Sequence, residues 1–185
     1  SGDYQDFMVT ADPASVTCQA GDAWQVQKSV DSYPQVSSDT AHYYVRYKIS
    51  AALADGALYD RQGRLELDSY ALTDVLPTEN VPAGGGAQFV SATASGLPDL
   101  AEGNGYTLET NADGSLKAIT FTRYNTLSEA GSNVPAGTSI ATDYLITVKY
   151  PKAPYNSPSD GDIIEHLLTN TANLDYSLVT VEDTV

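Results

Sequence analysis

Apolar and polar residues alternate with a period of two along several stretches of the chain, as they do in strands that bury one face. Between residues 42 and 49, one face carries only apolar or aromatic residues, namely Tyr43, Val45, Tyr47 and Ile49. The stretches 116–124 and 144–150 alternate in the same way. Clusters of Gly, Pro, Asn and Asp at 82–86 and 111–114 predict turns. Because many short strands joined by turns are typical of a sandwich, we predict an all-β sandwich.

The length of the chain, 185 residues, suits one large sandwich with a short appendage. Residues 1–22 are less regular, so we assign them to a linker or N-terminal extension and assign residues 23–185 to the sandwich domain. A single helical turn is predicted over residues 165–168. No apolar run reaches membrane-spanning length, so we expect no membrane insertion in this segment.

The chain is strongly acidic, with 24 acidic residues, 9 basic residues and a formal net charge of -15. A surface of this sign repels phosphate backbones, and no Lys/Arg cluster offsets it, so nucleic acid is excluded as a partner. Solubility explains the acidity, and bound calcium is the alternative explanation. We expect no other cofactor. Cys18 is the only cysteine, so no internal disulfide is expected.

One charged residue falls on an apolar face near the start of the predicted sandwich. One face of the stretch 24–30 holds Trp24, Val26, Lys28 and Val30, and the other holds Gln25, Gln27 and Ser29. If the apolar face of this strand points inward, Lys28 points into the core. The ordinary alternative is a lysine that extends along the strand to keep its amine in water.

An acid and an amide fall on apolar faces in the same way. Asp74 shares its face with Tyr70, Leu72 and Leu76, and Asp68 has the same parity, so Asp68 stays the alternative acid. Asn170 shares its face with Leu168, Ala172, Leu174 and Tyr176, whereas Asn173 belongs to the opposite, solvent face. The ordinary alternative for an asparagine is a residue that caps a turn.

A buried lysine, carboxyl group and amide can react with one another. Burial lowers the pKa of a lysine and raises that of an aspartate, which favours a neutral amine and a neutral acid. A neutral amine is a nucleophile, and a protonated carboxyl group polarises an amide carbonyl by donating a hydrogen bond to it. Attack on the asparagine amide would expel ammonia and leave an isopeptide bond. The product no longer contains the buried amine.

The same residues carry a resemblance to a known family. The segment Gln25-Val26-Gln27-Lys28-Ser29-Val30 resembles the first strand of the isopeptide-bond-forming domains of Gram-positive pilins and adhesins, the collagen-adhesin A-type and fimbrial D2-type group. Segment 43–49 is similar to the strand that follows the lysine. Segment 72–77 (Leu-Thr-Asp-Val-Leu-Pro) resembles the strand that bears the aspartate, and segment 169–176 resembles the last strand. The resemblance spans about residues 24–181, in the order Lys, Asp, Asn.

This resemblance implies an immunoglobulin-like β-sandwich with Greek-key connections, in which Lys28 is bonded to Asn170 and Asp74 is the catalytic acid. It implies a structural stalk or adhesin domain, with no catalysis beyond this single self-directed reaction. The protein is then extracellular, attached to the cell surface or cell wall through a part of the chain not present here. Its partners would be neighbouring domains of the same surface protein. The alternative is a ligand-binding adhesin module of the same fold that recognises host protein or glycan.

Other motifs in the chain are weaker. Segment 148–152 (Val-Lys-Tyr-Pro-Lys) is similar to the pilin motif whose lysine is joined to the next subunit by sortase, but Ala153 stands where asparagine is usual. We therefore interpret Lys152 as a loop lysine. Cys18 follows Thr17 instead of the aromatic or aliphatic residue expected in thioester adhesin domains. The two histidines, His42 and His166, form no metal-binding pair, and there is no Gly-x-Ser-x-Gly motif, so a hydrolase is not expected.

Overall fold

The computed structural model describes residues 7–11, 15–16, 24–53, 67–95, 100–124, 140–155 and 166–178. Almost every element within these ranges is a β-strand, and one short helix follows the tenth strand. The elements are β1 (Phe7–Ala11), β2 (Ser15–Val16), β3 (Trp24–Ser32), β4 (His42–Leu53), β5 (Leu67–Val75), β6 (Gln88–Ala94), β7 (Ala101–Glu102), β8 (Gly105–Thr110), β9 (Leu116–Tyr124), β10 (Ile140–Pro151), α1 (Lys152–Tyr155) and β11 (His166–Leu178). This helix is too short to span a membrane.

The strands form two sheets, which confirms the predicted all-β sandwich. One sheet has the antiparallel order β3-β4-β10-β6. The other has the order β1-β11-β5-β9-β8-β7, with β2 also paired to β11. Its central strands β11, β5, β9 and β8 are antiparallel, whereas β1 and β2 run parallel to β11.

The core lies between the two sheets and is built from the alternating faces seen in the sequence. Val45, Tyr47 and Ile49 of β4 are fully buried, as the period-two pattern predicted. The rings of Phe121 from β9 and Tyr144 from β10 meet across the sandwich at a centroid distance of 4.4 Å. Such close contact between side chains of opposite sheets is what removes both apolar faces from water and holds the layers together.

The two predicted turns within the described ranges are present. In the turn before β6, the Gly85 amide donates to the carbonyl of Pro82 at 2.8 Å. In the turn between β8 and β9, the Asn111 amide donates to the carbonyl of Ser115 at 2.8 Å, and Gly114 has a φ of 85°. A positive φ strains residues that carry a Cβ, which explains glycine at that point of the turn.

The two ends of the chain differ in part from the sequence expectations. Strands β1 and β2 come from the segment assigned to a linker or extension, and they pair with β11. The domain boundary after residue 22 stays a prediction. The helical turn predicted over residues 165–168 is wrong for 166–168, which begin β11. Pairing with β1 satisfies the backbone groups that a lone helical turn would leave without partners.

Candidate functional site

Lys28 lies at the middle of β3, the edge strand of the four-stranded sheet. Its neighbours of the same parity, Val26 and Val30, pack against the core, whereas Gln27 and Ser29 are exposed. The side chain of Lys28 is 0% exposed. The predicted inward position of Lys28 is therefore confirmed, and its amine does not extend along the strand to water.

Asp74 lies near the end of β5 in the opposite sheet, between two buried leucines of the same parity, Leu72 and Leu76. It is fully buried. On either side of it, the register places Ala172 of β11 and Ile119 of β9. A carboxyl group surrounded in this way has no access to bulk water, so its charge must be compensated by groups of the protein.

Lys28 and Asp74 meet inside the sandwich, where Nζ of Lys28 donates to Oδ1 of Asp74. Both side chains are 0% exposed, and they come from different sheets, so this ion pair bridges the two layers. Each charge offsets part of the desolvation of the other, so removing one partner would make the burial of the second more costly. The pair also provides a short route for a proton from the amine to the carboxylate.

Asn170 lies in β11, directly beside the strand that carries Asp74. The register pairs Ala172 with Asp74, and directly paired residues of antiparallel strands share a face of the sheet. Position 170, two residues from Ala172, therefore lies on the face of Asp74, as a diagonal neighbour at a typical Cα spacing of about 7–8 Å. Strand β3 approaches β11 to within 8 Å. The side-chain contacts of Asn170 lie outside the described residues.

The register also separates the two rival residues from the site. Asn173 pairs with Thr73, so it belongs to the face opposite to that of Asp74. Asp68 lies next to an irregularity in the pairing of β5 with β11, and its side chain lies outside the described residues. Six residues of extended strand separate positions 68 and 74 by roughly 20 Å, too far for both acids to contact one amine. The contact of Lys28 with Asp74 favours Asp74 as the acid.

Two linked, buried tyrosines lie on one side of the ion pair, and their contact with it was not predicted. The amine of Lys28 lies 5.0 Å from the ring centroid of Tyr47 on β4. The hydroxyl groups of Tyr47 and Tyr150 share a hydrogen bond of 3.1 Å. Burial raises the pKa of both tyrosines, and the negative charge of Asp74 raises it further. The alternation placed Tyr47 inward, but a contact between strands cannot be read from one strand.

A second polar cluster lies outside this site, at the start of β4. The carboxylate of Asp39 accepts hydrogen bonds from Tyr44 Oη at 2.7 Å and from the backbone amide of Ala41 at 3.1 Å, and its Oδ1 is 2.9 Å from His42 Nδ1. These contacts, that of His42 first, lower the pKa of Asp39 to about 2. The cluster ties the loop before β4 to the strand.

The remaining candidates from the sequence are Lys152, Cys18 and a calcium site. Lys152 begins α1, where its amine lies 5.2 Å from the ring centroid of Tyr43. Cys18 lies outside the described residues. In the part of the chain that is described, no three His, Cys, Asp or Glu side chains are grouped so that they could hold a metal ion. A calcium site therefore stays a prediction.

Comparisons with known proteins do not assign the chain to a family. No protein-family model matches it, and no curated protein matches it. Among solved structures, it is similar to AvmM, which catalyses macrocyclization in alchivemycin A biosynthesis, at 9% identity and a TM-score of 0.32. The alignment covers 92% of this chain and 94% of that one. A likeness this slight carries neither a fold nor a function from AvmM to this chain.

Proposed function

We propose that the chain is a structural stalk or adhesin domain of a bacterial surface protein, stabilised by an isopeptide bond that it forms between Lys28 and Asn170. The observation that supports this proposal is the fully buried ion pair of Lys28 and Asp74, which joins the two sheets beside the strand of Asn170. Apolar residues of similar volume often stabilise a fold as well as a buried ion pair does. Stability alone is therefore a poor explanation for the pair, and a reaction between its groups is a better one.

The reaction begins with a proton transfer within the ion pair. The ammonium group of Lys28 gives a proton to the carboxylate of Asp74, which leaves a neutral amine beside a neutral acid. This transfer is favoured by burial, because both products are uncharged. The carboxyl group of Asp74 then donates a hydrogen bond to the amide oxygen of Asn170 and makes the amide carbon more electrophilic.

Bond formation follows by acyl transfer. The Lys28 amine attacks the amide carbon of Asn170, the carbon–nitrogen bond to the side-chain amide nitrogen breaks, and that nitrogen leaves as ammonia after taking a proton from the attacking amine. Asp74 ends the reaction protonated, as it was before attack. The product has neither the buried ammonium nor the buried carboxylate charge, so formation of the bond removes the desolvation cost of the ion pair.

The mass of the intact protein tests this proposal directly. The folded protein should be lighter than its sequence mass by one ammonia, about 17 Da, because acyl transfer expels the amide nitrogen. Lys28→Ala, Asp74→Ala and Asn170→Ala should each have the full sequence mass. Two controls should keep the loss: Asn173→Ala, on the opposite face of β11, and Lys117→Ala, whose amine is exposed and pairs with Glu109 at 2.7 Å. A folded wild type of full mass would refute the proposal.

The alternative role as a ligand-binding module has less support. The large hydrophobic side chains exposed in the described part of the chain are Tyr33 and Val90, at 45% and 41%. Exposed apolar side chains that stand singly are normal on soluble proteins, whereas a binding surface is expected to present a contiguous patch. Extracellular location and attachment to a cell surface are part of the proposal and follow from the stalk role.

A further inference from the structure

Tyr47 is placed to act on the amine of Lys28. It lies on β4, the neighbour of β3, where the register pairs it with Val30, and it shares the inward face with Lys28. Residues two apart on neighbouring strands are diagonal neighbours, within reach of a long side chain and an aromatic ring. The amine of Lys28 lies 5.0 Å from the ring centroid, within the range of a cation–π interaction.

The ring acts differently on the two forms of the amine. The face of an aromatic ring attracts an ammonium group electrostatically, and it has no such attraction for a neutral amine. We propose that Tyr47 is a positioning residue, whose ring face holds the charged Lys28 amine against Asp74 until the proton has passed to the carboxylate. This inference rests on the proposed function of Lys28, Asp74 and Asn170.

The ring of Tyr47 is itself held in place from the next strand. Its hydroxyl group is hydrogen-bonded to that of Tyr150 on β10, and the ring of Tyr150 meets that of Tyr155 edge-on at 6.2 Å. All three side chains are fully buried. Burial, the first cause in each case, raises the pKa of Tyr47 and that of Tyr150, so both hydroxyl groups stay protonated near neutral pH. The ring of Tyr47 therefore contacts the amine without its phenol group accepting the proton.

Within the described residues, the charged and titratable groups that act on Tyr47 come from three strands and from the segment after β3. Asp74 faces it from β5 and Tyr150 from β10, Lys28 lies over its ring from β3, and Tyr33 acts on it from the segment after β3. Because the phenols of Tyr47 and Tyr150 stay neutral near neutral pH, the charge change next to the ring belongs to the pair of Lys28 and Asp74.

This arrangement predicts an asymmetric effect on the pH profile of bond formation. Attack needs one proton shared within the pair, so the rate should fall at acid pH, when both groups are protonated, and at alkaline pH, when both have lost their protons. The ring stabilises only the ammonium form. Weakening its attraction should therefore move the alkaline limb to lower pH by about one unit. The acid limb of the pH profile should keep its position, because the amine is charged both before and after Asp74 takes up a proton.

The experiment follows bond formation in full-length chains that have never folded. Chains are recovered from insoluble aggregates in urea and diluted into buffers across the pH range. Folding is followed by circular dichroism, and the loss of ammonia is followed by intact mass at timed intervals. The variants are Tyr47→Phe, Tyr47→Leu and a trifluorophenylalanine at position 47, which keeps the ring shape while its face attracts cations weakly. Tyr155→Phe is the matched control, because it removes another buried tyrosine hydroxyl, bonded at 2.6 Å to the carbonyl of Gly85.

The expected result separates the charge effect of the ring from its packing. Tyr47→Phe and Tyr155→Phe should keep the wild-type limbs, whereas the fluorinated ring should move the alkaline limb alone to lower pH. Tyr47→Leu, if it folds, should show the same shift with a slower rate. Coincident alkaline limbs for Tyr47→Phe and the fluorinated ring would overturn the positioning role and leave the proposed function intact. A wild type that folds without losing mass would overturn both.

Discussion

Asn170→Ala tests how much the proposed bond contributes to stability, because it prevents the cross-link while Lys28 and Asp74 can still pair with each other. Positions 28 and 170 are separated by roughly 140 residues, so a bond between them closes almost the whole sandwich into one loop. The loss of entropy in the unfolded chain that such a loop causes amounts to about 5 kcal/mol by the relation used for disulfides. We expect Asn170→Ala to lose about that much stability.

Asp74→Ala should be more damaging, although it removes the same cross-link. The amine of Lys28 would remain in a fully buried site, but the carboxylate of Asp74 would be gone. Breaking a buried pair by removing one partner costs about 3–5 kcal/mol in addition. The sum approaches the whole stability of a typical domain, about 5–15 kcal/mol. The expected order of stability is therefore wild type, Asn170→Ala, then Asp74→Ala.

Unfolding in urea, followed by circular dichroism, measures these differences, and intact mass establishes which samples are cross-linked. In thermal unfolding, a loss of about 5 kcal/mol corresponds to about 10–20 °C for a domain of this size. Asn173→Ala, on the other face of β11, is the matched control and should unfold like the wild type. If Asn170→Ala unfolds within about 1 kcal/mol of a cross-linked wild type, the bond does not stabilise the fold by restricting the unfolded chain.

Two further predictions concern polar contacts away from the cross-link. Tyr155→Phe should lower the free energy of unfolding by about 1–3 kcal/mol, because the buried carbonyl of Gly85 loses its hydrogen-bond donor. Urea unfolding measures this loss, and an unchanged urea midpoint would contradict the hydrogen bond. The pKa of Asp39 is lowered from 3.8 to about 2, so its contribution to stability is present above about pH 4 and is lost as the pH falls towards 2. Acid titration of stability should therefore be flatter in Asp39→Asn over that range, and parallel curves would refute this role.

The sequence predicted which single residues of the site point inward, but it did not predict which strands lie next to one another. Parity alone placed Lys28 and Asp74 inward, because each stands between apolar residues on a strand and a period of two leaves only two faces. The contact of Lys28 with Tyr47 could not be predicted from the sequence, since it depends on which strands become neighbours. The pairing of β1 with β11 was missed for the same reason, because segment 7–11 has no clear alternation and gains its partner from the far end of the chain.

The parallel pairing of β1 with β11 also determines how the domain would carry tension. Tension that enters at the start of β1 and leaves at the end of β11 pulls two parallel strands past each other along their length. In that geometry the hydrogen bonds of the ladder, which are evenly spaced in parallel strands, are loaded together instead of opening one after another. The load reaches β11 at the segment His166–Asn170, where the proposed bond would pass it across the sandwich to β3. The strands between β3 and β11 along the chain would then lie outside the line of tension.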